Sequence, residues 1–224
     1  MNKRPDDKPF RVMNELIPIF PLGVVVYPGD ELNLHIFEPR YQQLINDCAK
    51  TKIPFGIPTV LDEKVGRLGT LVELVEIAHV QADGQMDIRT RGLRVFRVSR
   101  LLKLYPGKLY SGAQVSYLEE NRGKSGGKLM LELVAKVKKI HQLLAVKKEF
   151  PKAEAELTSY DLAHYAGLSL SQEYELLGLA DEGQRQIFLR RHLEQVLPVL
   201  AEMESLQKKI KLNGHFKKLP GFEL

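Results

Sequence analysis

The sequence predicts an α+β protein: a β-rich, barrel-like first half, then a bundle of helices that ends in one long helix. Three observations predict it. Up to about residue 120, apolar and polar residues alternate in short runs, the period of half-buried strands. Beyond Glu120, apolar residues recur every three or four positions, the period of helices with one buried face. Between the two lies Asn121-Arg122-Gly123-Lys124-Ser125-Gly126-Gly127, a polar, glycine-rich stretch suited to a linker. The expected organisation is a flexible N-terminus at 1–13, a β domain at 14–120, a helical bundle at 121–213 and a tail at 214–224.

The elements follow in order. Leu16 to Phe20 reads as a strand, and Glu31 to Phe37 alternates Leu32, Leu34 and Ile36 with Glu31, Asn33 and His35. Glu38 to Lys50 carries Tyr41, Leu44, Ile45 and Cys48 on one helical face. Phe55 to Leu61 is a strand interrupted by Gly56 and Pro58. Gly69 to Gln81 and Met86 to Leu101 form a hairpin joined at Ala82-Asp83-Gly84-Gln85, where Asp-Gly is a strong turn signal. A last strand spans Lys108 to Tyr117. Strands without long helices between them point to an antiparallel barrel with one inserted helix.

In the second half, Leu129 to Val146 has helical spacing and Pro151 lies beyond it as its stop. Thr158 with Asp161 and Ser169 with Gln172 have the spacing of capping boxes that open two short helices. Asp181 with Gln184 opens the longest helix, to about Leu212, with a kink expected at Pro198 and a stop at Asn213-Gly214.

Composition bounds the function. At 44% hydrophobic and 27% charged, the 224 residues are globular in character. One cysteine, Cys48, allows no intrachain disulfide, which suits a reducing compartment. No apolar run reaches the roughly 20 residues that span a bilayer, and MNKRPDDKPF has no apolar stretch behind its charges. A cytoplasmic protein with no membrane partner is the expectation. The net charge of +5 is concentrated after residue 120, as expected of a solvated lysine-rich helical face.

Catalytic signatures are missing from the sequence. Gly123-Lys124-Ser125 resembles the end of a phosphate-binding loop, but the first glycine of that motif would fall at Leu118. There is no H-E-x-x-H and no C-x-x-C, and the six histidines are scattered. No metal ligand set and no cofactor are expected. Arg89, Arg91, Arg94, Arg97 and Arg100 recur along one strand. They do not share a face unless Gly92 marks a bulge, and only Phe96 accompanies them as an aromatic.

The segment from Ile17 to Asp47 is the most specific. It contains Pro18-Ile19-Phe20-Pro21-Leu22, then Pro28-Gly29, then Leu34-His35-Ile36-Phe37-Glu38-Pro39-Arg40-Tyr41. Downstream stand Phe55-Gly56, Val65-Gly66, Gly69-Thr70 and Arg91-Gly92-Leu93-Arg94-Val95-Phe96. In this order and spacing they resemble the N-terminal, substrate-binding domain of Lon proteases over about residues 14–212. The resemblance implies a PUA-like pseudo-barrel followed by a helical bundle, and a role in recognising unfolded or damaged polypeptides and in assembly. The Walker lysine and the Ser-Lys dyad of Lon have no counterpart here, and the chain ends where the family's long helix would lead into the ATPase. The implied protein is a stand-alone, non-catalytic recognition module, an adaptor or regulator of protein degradation.

Its implied partners are unfolded polypeptides or a Lon-type protease or chaperone, with self-association as a further expectation. The alternative is a PUA-like RNA-binding protein, although nucleic acid is disfavoured. Val24, Val25, Val26 and Tyr27, an apolar run in a Pro/Gly-flanked loop, are either buried beneath the barrel or the candidate polypeptide contacts, with Phe37 and Tyr41. Pro18, Pro21, Pro28 and Gly29 are expected to shape the chain, and Glu38 and Arg40 to pin the strand-to-helix corner by a charge-assisted hydrogen bond.

Overall fold

The computed structural model describes residues 10–119 and 127–216, with side chains from 15–119 and 127–210. Residues 120–126, which include all of the expected linker 121–127 but Gly127, lie outside the described residues, as do 1–9 and 217–224. Residues 10–13, expected in a flexible terminus, already belong to the first strand.

Among the described residues, the first half of the chain forms six strands and one helix: β1 (Phe10–Pro18), β2 (Glu31–Ile36), α1 (Pro39–Thr51), β3 (Phe55–Leu61), β4 (Lys64–Val80), β5 (Met86–Leu102) and β6 (Gly112–Leu118). The sheet runs β1-β6-β5-β4-β3, all antiparallel, with β2 paired to the first half of β5. The segment between Pro18, the last residue of β1, and Pro21 closes it. Pro18 and Pro21 have no N–H to donate, so the intervening residues reach both sides: Ile19 N donates to Ser111 O, and Phe20 N to Gly56 O. Leu22 N donates to Pro58 O, and residues 19–22 run parallel to β3. The two ends of the sheet thereby meet, which is the expected pseudo-barrel.

The β4–β5 hairpin turns where the sequence indicated. Gly84 takes φ +87°, its N–H donates to Gln81 O, and Asp83 Oδ1 accepts from Gln85 N. α1 starts with Pro39 as its first helical residue and ends at a left-handed Lys52. Its face of Tyr41, Leu44, Ile45 and Cys48 packs on Phe20, Val26, Ile36, Phe55 and Val72, while Ile17, Ile19, Phe96 and Val115 fill a second core cluster.

The helices are α2 (Lys128–Leu143), α3 (Ser159–Ala163), α4 (Leu170–Leu177) and α5 (Glu182–Phe216), with a 3-10 turn at Glu154–Glu156. Both capping boxes form: Thr158 N donates to Asp161 Oδ2 at 2.8 Å, and Ser169 N to Gln172 Oε1 at 2.9 Å. α2 ends at Leu143, short of Pro151, because the chain turns into a left-handed Ala145. α5 runs through Asn213 and Gly214 to Phe216, so the expected stop does not operate. A glycine inside a helix costs only about 1 kcal/mol against alanine, which long helices override.

The compact units depart from the expected division. One comprises residues 1–123 together with 168–182, and the other 124–167 together with 183–224. α4, read as part of the bundle, therefore belongs to the β unit. Tyr174 of α4 explains why: its hydroxyl accepts from Leu68 N at 2.8 Å and covers Gly66. In the helical unit, Met130, Leu133, Val137, Tyr160, Leu189 and Leu193 form the core, and Arg185 lies buried over the Tyr160 ring.

Candidate functional site

Of the two fates open to the apolar run Val24–Tyr27, binding surface or burial beneath the barrel, the structure takes burial for all but Val24, which corrects Val25, Val26 and Tyr27 as contacts. Val25, Val26 and Tyr27 are buried, as is Tyr41; among the expected contacts only Val24 and Phe37 are exposed. Val26 and Tyr41 share one core cluster with Phe20, whose ring lies 4.0 Å from that of Tyr41. Tyr27-Pro28-Gly29-Asp30 is a type II turn: Asp30 N donates to Tyr27 O at 3.1 Å, and Gly29 has φ +95°. The turn crosses β5 at Gly92. Gly29 N donates to Gly92 O and Gly92 N to Asp30 O, each at 2.9 Å. A Cβ at Gly92 would lie 2.2 Å from Tyr27 O. The Tyr27 hydroxyl donates to Glu173 O of α4 at 3.2 Å. The loop is thus a strap built into the core.

Glu38 and Arg40 form the corner contact. Arg40 Nε donates to Glu38 Oε2 at 2.8 Å while the Glu38 carbonyl accepts from Tyr41 N and Gln42 N. Both side chains are substantially exposed, so the pair orients the corner and adds little stability. Phe37, 60% exposed, stacks against His35. The His35 ring bridges Asp87 at 2.8 Å and Gln85 at 2.9 Å. These two acceptors raise its pKa above the ordinary histidine value. An open concavity of about 470 Å³ lies beside it, lined by Asn33, His35, Ala78, Asp87 and Arg89.

The arginine row is resolved by a bulge. Leu71 pairs with Arg94 and Val72 with Gly92, so Leu93 is an extra residue. Arg89, Arg91 and Arg94 consequently share the exposed side. Carboxylates match each one. Arg89 meets Glu76 at 2.9 Å, Arg91 meets Glu31 at 3.5 Å and Glu73 at 4.0 Å, and Arg94 meets Glu15 at 3.9 Å while stacking on Tyr117.

A different place offers apolar surface. The β5–β6 loop exposes Leu104 at 61% and Leu109 at 60%, with Leu101 nearby at the strand end. Leu104, Pro106, Leu109 and Gln43 line an open concavity of about 320 Å³. Hydrogen bonds hold this loop in place. Tyr105 N donates to Tyr110 O at 2.7 Å, Lys108 N to Tyr105 O at 3.0 Å, and Gly107 takes φ +71°. Leu109 N donates to Gln43 Oε1 at 2.8 Å, and Asp47 accepts from Tyr110 Oη at 3.0 Å and Lys108 Nζ at 2.8 Å. The bond to Lys108 holds the Asp47 carboxyl below its usual range, and burial pushes the Tyr110 phenol up. Exposed leucines on a loop anchored to α1 are preorganised for apolar contact. The sequence carried the signal: Leu101 to Tyr110 is rich in apolar residues around Pro106-Gly107, the criterion that pointed instead to Val24–Tyr27.

Cys48 is buried on the inner face of α1 and burial pushes its thiol up to about 12, which leaves no nucleophile at neutral pH. Among the described residues no three His, Cys, Asp or Glu side chains gather as a metal site, and no helix is long and apolar enough to cross a membrane.

Comparison with known proteins bears on what such a surface is for. The family model described as "ATP-dependent protease La (LON) substrate-binding domain" matches residues 16–195. Among solved structures, a Lon N-terminal domain protein from Xanthomonas campestris is similar at 28% identity and a TM-score of 0.58, covering 82% of this chain and 98% of that one. The N-terminal domain of a Mycobacterium avium complex Lon protease has the same fold at 14% identity and a TM-score of 0.57, covering 82% of this chain and 100% of that one.

Proposed function

Because the chain belongs to the ATP-dependent protease La (LON) substrate-binding domain family, we propose that it is a non-catalytic module that recognises unfolded or damaged polypeptides in the cytoplasm, as an adaptor or regulator of protein degradation. The family match over residues 16–195 carries this reading. It is supported by the β5–β6 loop, where Leu104 and Leu109 stand out from a hydrogen-bonded scaffold. Val24 and Phe37 are further exposed apolar contacts on the same unit. An extended segment would set apolar side chains against these leucines, and the backbone amides of the segment would remain available to water or to polar loop groups. A Lon-type protease or chaperone is the partner that such an adaptor would serve. The RNA reading has less support, since Arg89, Arg91 and Arg94 already face carboxylates.

The test is a fluorescence titration of a labelled, permanently unfolded protein with the parent chain and with Leu104→Asp/Leu109→Asp. Each leucine removed from an apolar contact is worth roughly 1–2 kcal/mol, so the double variant should bind at least about tenfold more weakly. Unchanged affinity in a folded variant would move the site away from this loop.

A further inference from the structure

Among the described residues, β2 pairs with β5 alone and its other edge is open. Hydrogen bonds near its start fix which residues face that edge. Gly92 N donates to Asp30 O, and the Thr90 hydroxyl donates to Leu32 O at 3.0 Å, so the carbonyls of Asp30 and Leu32 point toward β5. In an antiparallel ladder, bonded and unbonded pairs alternate. Leu32 with Thr90, Leu34 with Ile88 and Ile36 with Met86 are then the bonded pairs. Glu31, Asn33 and His35 turn their N–H and C=O groups away from the sheet, and no described group bonds them there. The edge is a row of backbone donors and acceptors at every second residue, the pattern that an extended backbone completes. We propose that an extended segment of an unfolded polypeptide adds to this edge as an antiparallel strand.

The edge lacks the features by which sheets block such pairing. The outer side of β4 beyond Val72 is also unpaired, but there two bulges intervene. Leu74 pairs with Thr90 and Glu76 with Arg89, which leaves Val75 extra; Ile77 pairs with Ile88 and His79 with Asp87, which leaves Ala78 extra. β2 has no proline and no lysine, and its register against β5 is unbroken. Its inner side prepares an apolar contact. Leu32 and Leu34 are only partly buried against the α1 core, so apolar side chains of the guest would extend that core. Its outer side is polar and already paired, Glu31 with Arg91 and His35 with Asp87, so it neither demands nor repels a charge. The fitting guest is a strand that alternates apolar and polar residues, a pattern that folded proteins pair and unfolded ones leave open. That the guest is such a segment and not a second copy rests on the reading of the chain as a polypeptide-recognition module. The edge then reads backbone where the β5–β6 leucines read apolar side chains.

The probe is an acetylated, amidated peptide that alternates valine with threonine between terminal lysines, titrated into the isotope-labelled full chain. In the free chain the Asn33 and His35 amides should exchange quickly with solvent, whereas Leu34 and Ile36, bonded to β5, are protected. Saturating peptide should slow exchange at Asn33 and His35 at least about tenfold. In the antiparallel register the threonines of the guest bond β2 and its valines lie beside Leu32 and Leu34. N-methylation of the threonines should therefore abolish binding, and N-methylation of the valines should spare it. Asn33→Pro removes one edge N–H without touching the β5 ladder, and should weaken binding about fivefold, the loss of one hydrogen bond. Asn33→Ala should change nothing. The methylated peptides leave the protein untouched, so they decide the outcome even where Asn33→Pro unfolds. No binding, equal affinity of the three peptides, or unchanged exchange at Asn33 overturns the proposal. Asn33 protection that grows with protein concentration in the absence of peptide assigns the edge to a second copy and also overturns it. The reverse methylation pattern overturns the antiparallel direction. A labelled unfolded client that binds the parent, loses affinity on Leu104→Asp/Leu109→Asp and leaves Asn33 exchange unchanged removes the edge but keeps polypeptide recognition; a client that does not bind at all removes both.

Discussion

Replacing Gly92 with alanine places a methyl group where the strap of residues 27–30 crosses β5. The added Cβ would lie 2.2 Å from Tyr27 O, 3.1 Å from the Tyr27 carbonyl carbon and 3.4 Å from Gly29 N. All three neighbours are backbone atoms, so no side chain can swing away. Relief requires the strap to lift by about an ångström, the gap to an ordinary contact near 3.4 Å. Lifting it strains or breaks the two backbone hydrogen bonds between Gly92 and the turn, Gly29 N to Gly92 O and Gly92 N to Asp30 O. Overpacking costs about 1–3 kcal/mol, and each weakened hydrogen bond about 1 kcal/mol. Alanine recovers roughly 0.5–1 kcal/mol by restricting the unfolded chain. The balance is a loss of about 3 kcal/mol, or roughly 6–12 °C in Tm for a chain of this size. Thermal unfolding followed by circular dichroism measures it. Gly23→Ala is the control, because a Cβ there meets nothing within 4 Å and the backbone is not left-handed. A Gly92→Ala variant melting within about 2 °C of the parent would refute the crossing as a packing constraint.

Tyr27→Phe should cost about 1 kcal/mol, because it removes the hydrogen bond that ties the strap to Glu173 O of α4, and thermal melts should show a fall of a few degrees. The contribution of Asp47 should depend on pH with a definite sign. Its carboxyl is held below the usual range in the folded state, so its stabilisation is present above the unfolded value near 3.9 and fades as pH falls through the folded value. Asp47→Asn should therefore melt below the parent at pH 7, and the gap should close as the solution is acidified below about pH 4; a gap constant with pH would count against it. Cys48 should resist a thiol reagent in the native protein, since a pKa of about 12 leaves roughly one thiolate in ten thousand at pH 8, and should react at once in denaturant.

Local features were legible in the residues themselves. The pairs Thr158/Asp161 and Ser169/Gln172 cap their helices as their three-residue spacing implied, because a capping box needs only its own four residues. Asp83-Gly84 makes the hairpin turn and Pro28-Gly29 the type II turn for the same reason. What depended on distant chain was not legible. Val25, Val26 and Tyr27 read as either a buried or a binding run, and only the folding of β5 and α4 against them decides for burial. Gly92 was readable as a bulge; that it leaves room for the Tyr27 carbonyl is a fact of tertiary crossing. Whether Leu104 and Leu109 were buried or exposed could not be read from a Pro/Gly loop, since apolar residues near Pro and Gly mark both loops alike and only the folded structure leaves these two leucines facing water. α4 reads as one more helix of the bundle because nothing local announces that Tyr174 will bond Leu68.

Polypeptide recognition is the central claim, and one comparison tests it most directly. The full chain is titrated by isothermal calorimetry with a single client protein in two forms, native and reduced with its thiols blocked so that it cannot refold. Recognition of unfolded chain requires micromolar binding to the unfolded form, with the negative heat-capacity change of apolar burial, and no measurable binding to the native form. Equal affinity for both forms, or none for either, would contradict it.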